Sequence, residues 1–146
     1  AHPKIRIALT GTSNEAFLAK QFLRILPGTI NLIGKTTVRQ LHTHLAQCAL
    51  FISQDCCVLH VASATDVPIL ALFGPTSPMR SGPYPAKPCQ LVLKKSSMQD
   101  IEPEEVADIA MGLLGVQTDH IESSYSMEIA LSGAQGLPQQ ESPAVQ

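Results

Sequence analysis

The chain contains no apolar run approaching the length of about 20 residues that a membrane-spanning helix needs, and no leader-like segment precedes its first strand pattern. It is therefore expected to be soluble, cytoplasmic, and at most peripheral at the inner membrane. Charge of either sign is not concentrated. The formal net charge is -2 and the 10 lysines and arginines are scattered, which excludes a nucleic-acid footprint and a polybasic membrane patch. Cysteine is too sparse for a disulfide framework: there are 4, and Cys56 and Cys57 are neighbours, a spacing that rarely bridges. A reducing compartment is the simpler setting. The glycine that would make Gly34-Lys35-Thr36 a phosphate-cradling GxxxxGK[ST] loop is also lacking, since position 29 is Thr29 and Gly28 falls one place early.

At 146 residues, 45% of them hydrophobic, the chain has the size of one domain with a core and no room for a second large one. It starts Ala1-His2-Pro3, without methionine and directly before a strand pattern, which suggests a processed product or a piece of something longer. Strand and helix signals then alternate. Ile5 to Leu9 reads as a strand, Gly11 to Asn14 as a loop with capping residues, and Glu15 to Leu26 as a helix stopped by Pro27-Gly28. Thr29 to Ile33 gives the next strand. Either Thr36 or Thr37 caps a helix from Val38 to about Gln47, with Leu41, Leu45 and Cys48 on its buried side.

The segment Ala49 to Pro78, ALFISQDCCVLHVASATDVPILALFGPTSP, carries the chemistry. A strand from Ala49 leads to Asp55, a tight turn follows at Cys56 and Cys57, a short helix carries His60, and a second strand, Ile69 to Phe73, ends on Gly74-Pro75-Thr76. The unbroken apolar run from Ile69 to Phe73 is typical of a strand covered on both faces. This order fits a parallel sheet with right-handed crossover helices. The Pro- and Gly-rich stretch from Gly74 to Pro88 is expected to be a loop over the strand ends. Gln90 to Leu93 is a last strand, and Pro103 begins a helix through Leu114 that Gly115 ends. Residues 1–115 are thus read as one domain and residues 116–146 as a disordered tail, with a short helix near Met127 to Leu131.

In an open parallel sheet, ligands gather at the carboxyl ends of the strands, where helix N-termini aim backbone N–H groups into a crevice. An acid at a strand end, small turn residues and a histidine in the first helical turn suit a diphosphate or a sugar nucleotide. Asp55 caps the helix or accepts hydrogen bonds from sugar hydroxyls. His60 is a ligand contact or a cap residue, and Lys35 reaches a phosphate or remains in solvent. Cys56, Cys57 and His60 fall short of a four-ligand zinc set, and no metal is expected. His42 and His44 read as ordinary surface or semi-buried residues, His2 and His120 as parts of flexible ends.

The blocks NLIGKTTVRQL (Asn31 to Leu41), FISQDCCVLHVASATDVPILALFGPTSP (Phe51 to Pro78), SGPY (Ser81 to Tyr84) and DIEPEEVADIAMGLL (Asp100 to Leu114) resemble the C-terminal, donor-binding domain of the family 9 glycosyltransferases, the lipopolysaccharide heptosyltransferases. The likeness covers Ile5 to Leu114 in order. It implies an α/β fold, a Rossmann-like parallel sheet with crossover helices forming the C-terminal half of a GT-B architecture without its first strand-helix unit. It also implies an enzyme that takes a nucleotide-sugar, usually ADP-linked heptose, and transfers the sugar with inversion and no required metal or other cofactor. By position, Asp55 would hold the donor sugar or diphosphate, and Cys56, Cys57 and His60 would meet the diphosphate. Thr36 would lie near the base, Glu15 at the ribose, and Gly74, Pro75 and Thr76 along the crevice. The catalytic base is expected in an N-terminal acceptor domain not present in this sequence, so the chain is not expected to turn over alone.

Where the family has Ser or Thr followed by Gly, this chain has Cys56 and Cys57. A hydroxyl donor is lost, and a side chain stands where backbone should approach a phosphate. The alternative reading is therefore a degenerate, non-catalytic interaction or regulatory module that keeps the fold. An unrelated flavodoxin-like domain shares the alternation but leaves the HVASA to FGPT block unexplained. Partners are expected to be a nucleotide-sugar, an acceptor domain, or a second copy through exposed sheet edge.

Overall fold

The computed structural model describes residues 5–115. The expectations for His2, His120, the 116–146 tail and a helix near Met127 lie outside the described residues. Within residues 1–115, expected from sequence to be one domain, the chain divides into two compact units, the first ending at Thr43 and the second starting at His44.

The first unit is a strand-helix-strand arrangement with little regular strand. β1 (Ala8–Leu9) and β2 (Ile30–Asn31) pair in parallel, Ala8 opposite Ile30. Between them a 3-10 turn, Ser13–Glu15, runs into α1 (Ala16–Ile25). Gly34 takes a φ of +67, a conformation that glycine adopts without steric cost. A Cβ there would also stand 2.7 Å from the Ser13 hydroxyl. The loops after β1 and β2 are joined by the Gly34 N–H donating to the Gly11 carbonyl at 2.9 Å. Of the two threonines offered as caps, Thr37 serves. Its N–H donates to Gln40 Oε1 at 2.9 Å, and its hydroxyl accepts from the Gln40 N–H at 3.3 Å, opening α2 (Val38–Leu45). Leu41 and Leu45 are buried as their spacing requires, whereas Cys48, expected beside them, is exposed. The helix ends at Leu45, so the periodicity that would have carried Cys48 inward has stopped.

The second unit holds three parallel strands, β3 (Phe51–Gln54), β4 (Ile69–Phe73) and β5 (Gln90–Lys94), in the order β3-β4-β5. Hydrogen bonding among the described residues thus sorts the strands into a two-stranded and a three-stranded parallel sheet, where the sequence pattern suggests one continuous sheet. β4 lies in the middle, with Ile69, Leu70, Ala71 and Phe73 all wholly buried, which is why its sequence is apolar at successive positions rather than alternating. Leu70 and Leu93 pack with Ala110 of α5 (Pro103–Leu113), and Leu72, Leu91, Val106, Ile109 and Leu113 close round them. Ile69, Ala71 and Phe73 point to the opposite face. α3 (Cys57–Ser63), whose Leu59 and Ala62 are wholly buried, contacts β3 and β4. Pro103 occupies the first turn of α5 behind Glu102, a position where its missing N–H costs nothing. Lys95 Nζ meets the buried Glu105 carboxylate at 2.9 Å and ties the end of β5 to that helix.

Candidate functional site

The expected site residues divide between the two units. In the first, Glu15 closes the 3-10 turn and folds back on the loop: its Oε2 accepts from the Thr12 N–H at 2.6 Å and from the Thr12 hydroxyl at 3.0 Å. A Cβ on Gly11 would stand 2.6 Å from that same oxygen, so the Glu15 side chain would have to shift to admit one. Glu15 thus caps its own loop. Lys35 is exposed and Thr36 half-buried in the adjoining loop after β2. The Gly34–Gly11 bond brings these two loops together at the carboxyl edge of the small sheet.

In the second unit, β3 delivers Asp55 to the carboxyl edge one residue past its last paired position, Gln54. Cys56 is the N-cap of α3, in extended conformation and without a side-chain cap. Its thiol turns instead to the Ser53 hydroxyl, 3.1 Å away. Cys57 starts the helix and is exposed, as is His60 one turn on. Beyond β4, Gly74 is buried, and a Cβ on it would come within 2.8 Å of the Met98 backbone nitrogen. Its carbonyl accepts from Lys94 Nζ. Gly74 is therefore held to glycine by packing. Pro75 is exposed and Thr76 half-buried.

The stretch Gly74 to Pro88, expected to be loop throughout, contains a one-turn helix, α4 (Pro78–Ser81), with Pro78 in its first turn. α4 supplies a contact that the sequence pattern does not assign: the Ser81 hydroxyl donates to Asp55 Oδ2 at 3.4 Å and lies equally far from the Ser77 carbonyl. The SGPY block is a signal for this segment, but not for its partner 26 positions earlier.

Asp55 is the electrostatic centre of this edge. It is only 4% exposed, and its Oδ1 is buried with no hydrogen-bond partner. Burial pushes its carboxyl above the ordinary range, while the hydroxyls of Thr76 and Ser81 and the charge of His60 act in the other direction. The structure thus gathers Asp55, Thr76, Ser81 and His60, with Cys56 and Cys57 in the intervening turn. No group of three or more His, Cys, Asp or Glu side chains among the described residues is arranged to hold a metal ion. A buried carboxylate with one oxygen tied and the other unpartnered is an acceptor that lacks a donor.

Parallel strands, crossover helices and a polar carboxyl edge define the Rossmann-like α/β class. The family model for Glycosyltransferase family 9 (heptosyltransferase) matches residues 2–110, and the chain belongs to that family. It is 30% identical over 86 residues to lipooligosaccharide heptosyltransferase 2 of Haemophilus influenzae, covering 56% of this chain and 25% of that protein. It is 31% identical over 100 residues to lipooligosaccharide heptosyltransferase 2 of Campylobacter jejuni, covering 58% and 31%. Among solved structures, the E. coli ADP-heptose lps heptosyltransferase II superposes with a TM-score of 0.68 at 26% identity, over 75% of this chain and 36% of that one. A family 9 glycosyl transferase from Veillonella parvula, at 23% identity, shares the fold with a TM-score of 0.69. The chain matches between a quarter and just over a third of the length of these relatives. No described helix is long and apolar enough to cross a membrane.

Proposed function

We propose that this chain is the donor-binding part of a glycosyltransferase that moves heptose from an ADP-linked donor in the synthesis of lipopolysaccharide. The observation that carries the reading is the unpartnered oxygen of Asp55: a buried carboxylate whose Oδ1 has no hydrogen-bond partner. An ionised carboxylate only accepts, so its complement is a ligand rich in O–H donors, which a sugar is and a diphosphate is not. The diphosphate falls to the turn beside it, where the backbone amides at Cys56 and Cys57 and the side chain of His60 meet it, and where a helix start favours negative charge. Charge that develops on a departing nucleoside diphosphate is stabilised by such fixed donors. Pro75 and Thr76 border this edge. Support for heptose comes from the family, and support for ADP from the likeness to the E. coli ADP-heptose lps heptosyltransferase II.

A second reading, an interaction module without catalysis, draws on Cys57, which places an exposed side chain beside the turn where a phosphate would approach the backbone. Calorimetric titration of ADP, UDP, GDP and ADP-heptose into the chain and into Cys57→Gly separates the two. Binding of the adenine compounds, strengthened by the glycine and abolished by His60→Ala, is the expected result. Absence of binding to a protein shown to be folded would overturn the donor reading and leave the module.

A further inference from the structure

We infer that Ser81 is a positioning residue for Asp55: from the one-turn helix α4 its hydroxyl holds Oδ2 of the carboxylate and so leaves the buried Oδ1 as the oxygen still lacking a donor. This deepens the donor-site reading above and rests on it for the identity of the ligand, but not for the contact itself. The geometry is specific. Asp55 lies past the end of β3, and its two oxygens are inequivalent: Oδ2 has the Ser81 hydroxyl at 3.4 Å, and Oδ1 is buried without a partner. Ser81 has one proton to give and two acceptors at the same distance, Asp55 Oδ2 and the Ser77 carbonyl of its own turn. A shared proton of this kind moves towards whichever acceptor carries more charge, and so towards Asp55 when Asp55 is ionised.

Three segments bring groups to this carboxyl: Thr76 from the stretch after β4, Ser81 from α4, and the imidazole of His60 from α3. Thr76 and Ser81 are hydroxyls that favour the ionised form, and burial opposes it. Removing the Ser81 hydroxyl therefore has two effects. The carboxyl holds its proton to higher pH, and, left with Thr76 alone, it is less firmly oriented towards a ligand.

The test is a carbon-13 titration of the Asp55 carboxyl in the ligand-free full chain, for wild type, Ser81→Ala and Ser81→Thr. The alanine variant is expected to move the midpoint to higher pH and the threonine variant to restore it, which a packing role for Ser81 would not do. ADP-heptose binding at neutral pH should weaken roughly threefold to tenfold in Ser81→Ala and recover in Ser81→Thr, the range expected for one modest hydrogen bond. Superimposable midpoints in all three proteins would overturn the inference, as would a threonine variant that follows alanine. If the midpoint moves as expected while the wild type binds no nucleotide-sugar, the positioning stands and the donor reading falls.

Discussion

Asp55→Asn should make this protein more stable at neutral pH while removing whatever binding depends on the carboxylate. The wild-type carboxyl is buried and raised above its ordinary value of 3.8, so the folded state holds a proton that the unfolded chain releases. A raised acid makes the folded state relatively most stable below about the unfolded value. That stability is lost as pH climbs through the folded value, because the unfolded state then binds fewer protons than the folded one. Asparagine does not titrate, so the difference between variant and wild type should be small at pH 3.5, below the ordinary value, and larger at pH 7. Leaving a buried polar group unpaired costs about 1–3 kcal/mol, and more when it is charged; asparagine leaves a neutral group in place of a charged one and so removes only the excess. Because Thr76, Ser81 and His60 offset part of the penalty, the low end applies. For a domain of this size a gain of about 1 kcal/mol is a rise of roughly 4–8 °C in Tm. Thermal unfolding followed by circular dichroism at the two pH values measures it directly. A Tm difference that does not change with pH, or a variant less stable than wild type at pH 7, would refute the burial argument.

Two further substitutions probe the frame that carries the site. Leu70→Ala removes a wholly buried side chain from the cluster with Leu93 and Ala110 and should cost about 2–5 kcal/mol in denaturant titrations. Gly74→Ala drives a Cβ to 2.8 Å from the Met98 backbone nitrogen. It should cost about 1–3 kcal/mol and weaken any ligand that uses Thr76, an outcome calorimetry on the same variant would report.

Long, consistently patterned segments are readable from sequence, and contacts between distant segments are not. β4 is observed over Ile69–Phe73, the span its apolar run defines, and α5 begins at Pro103 because a proline after acidic Glu102 has few other places to be. In the first unit Ile5 to Leu9 and Thr29 to Ile33 carry strand composition, yet only Ala8–Leu9 and Ile30–Asn31 pair. Composition marks extended chain, whereas a strand also needs a neighbour in register. α4 is hidden because a single turn has no periodicity, and proline density usually marks irregular chain. At the site, Asp55 is legible as an acid at a strand end. Its burial, its one unpartnered oxygen and its link to Ser81 arise from tertiary packing over 26 positions, which no local pattern encodes.

Parallel pairing in the second unit places Gln54 beside Leu72, and Phe73 beside Lys94, so all three strands finish on a common line. The turns that leave this line therefore share one base, so a relative's turn grafted in place of Asp55-Cys56-Cys57 starts in register with the strands, and must itself meet Ser53 of β3 and Ser81 of α4. A set of such grafts would turn one small sheet into a bench for comparing ligand-binding turns side by side.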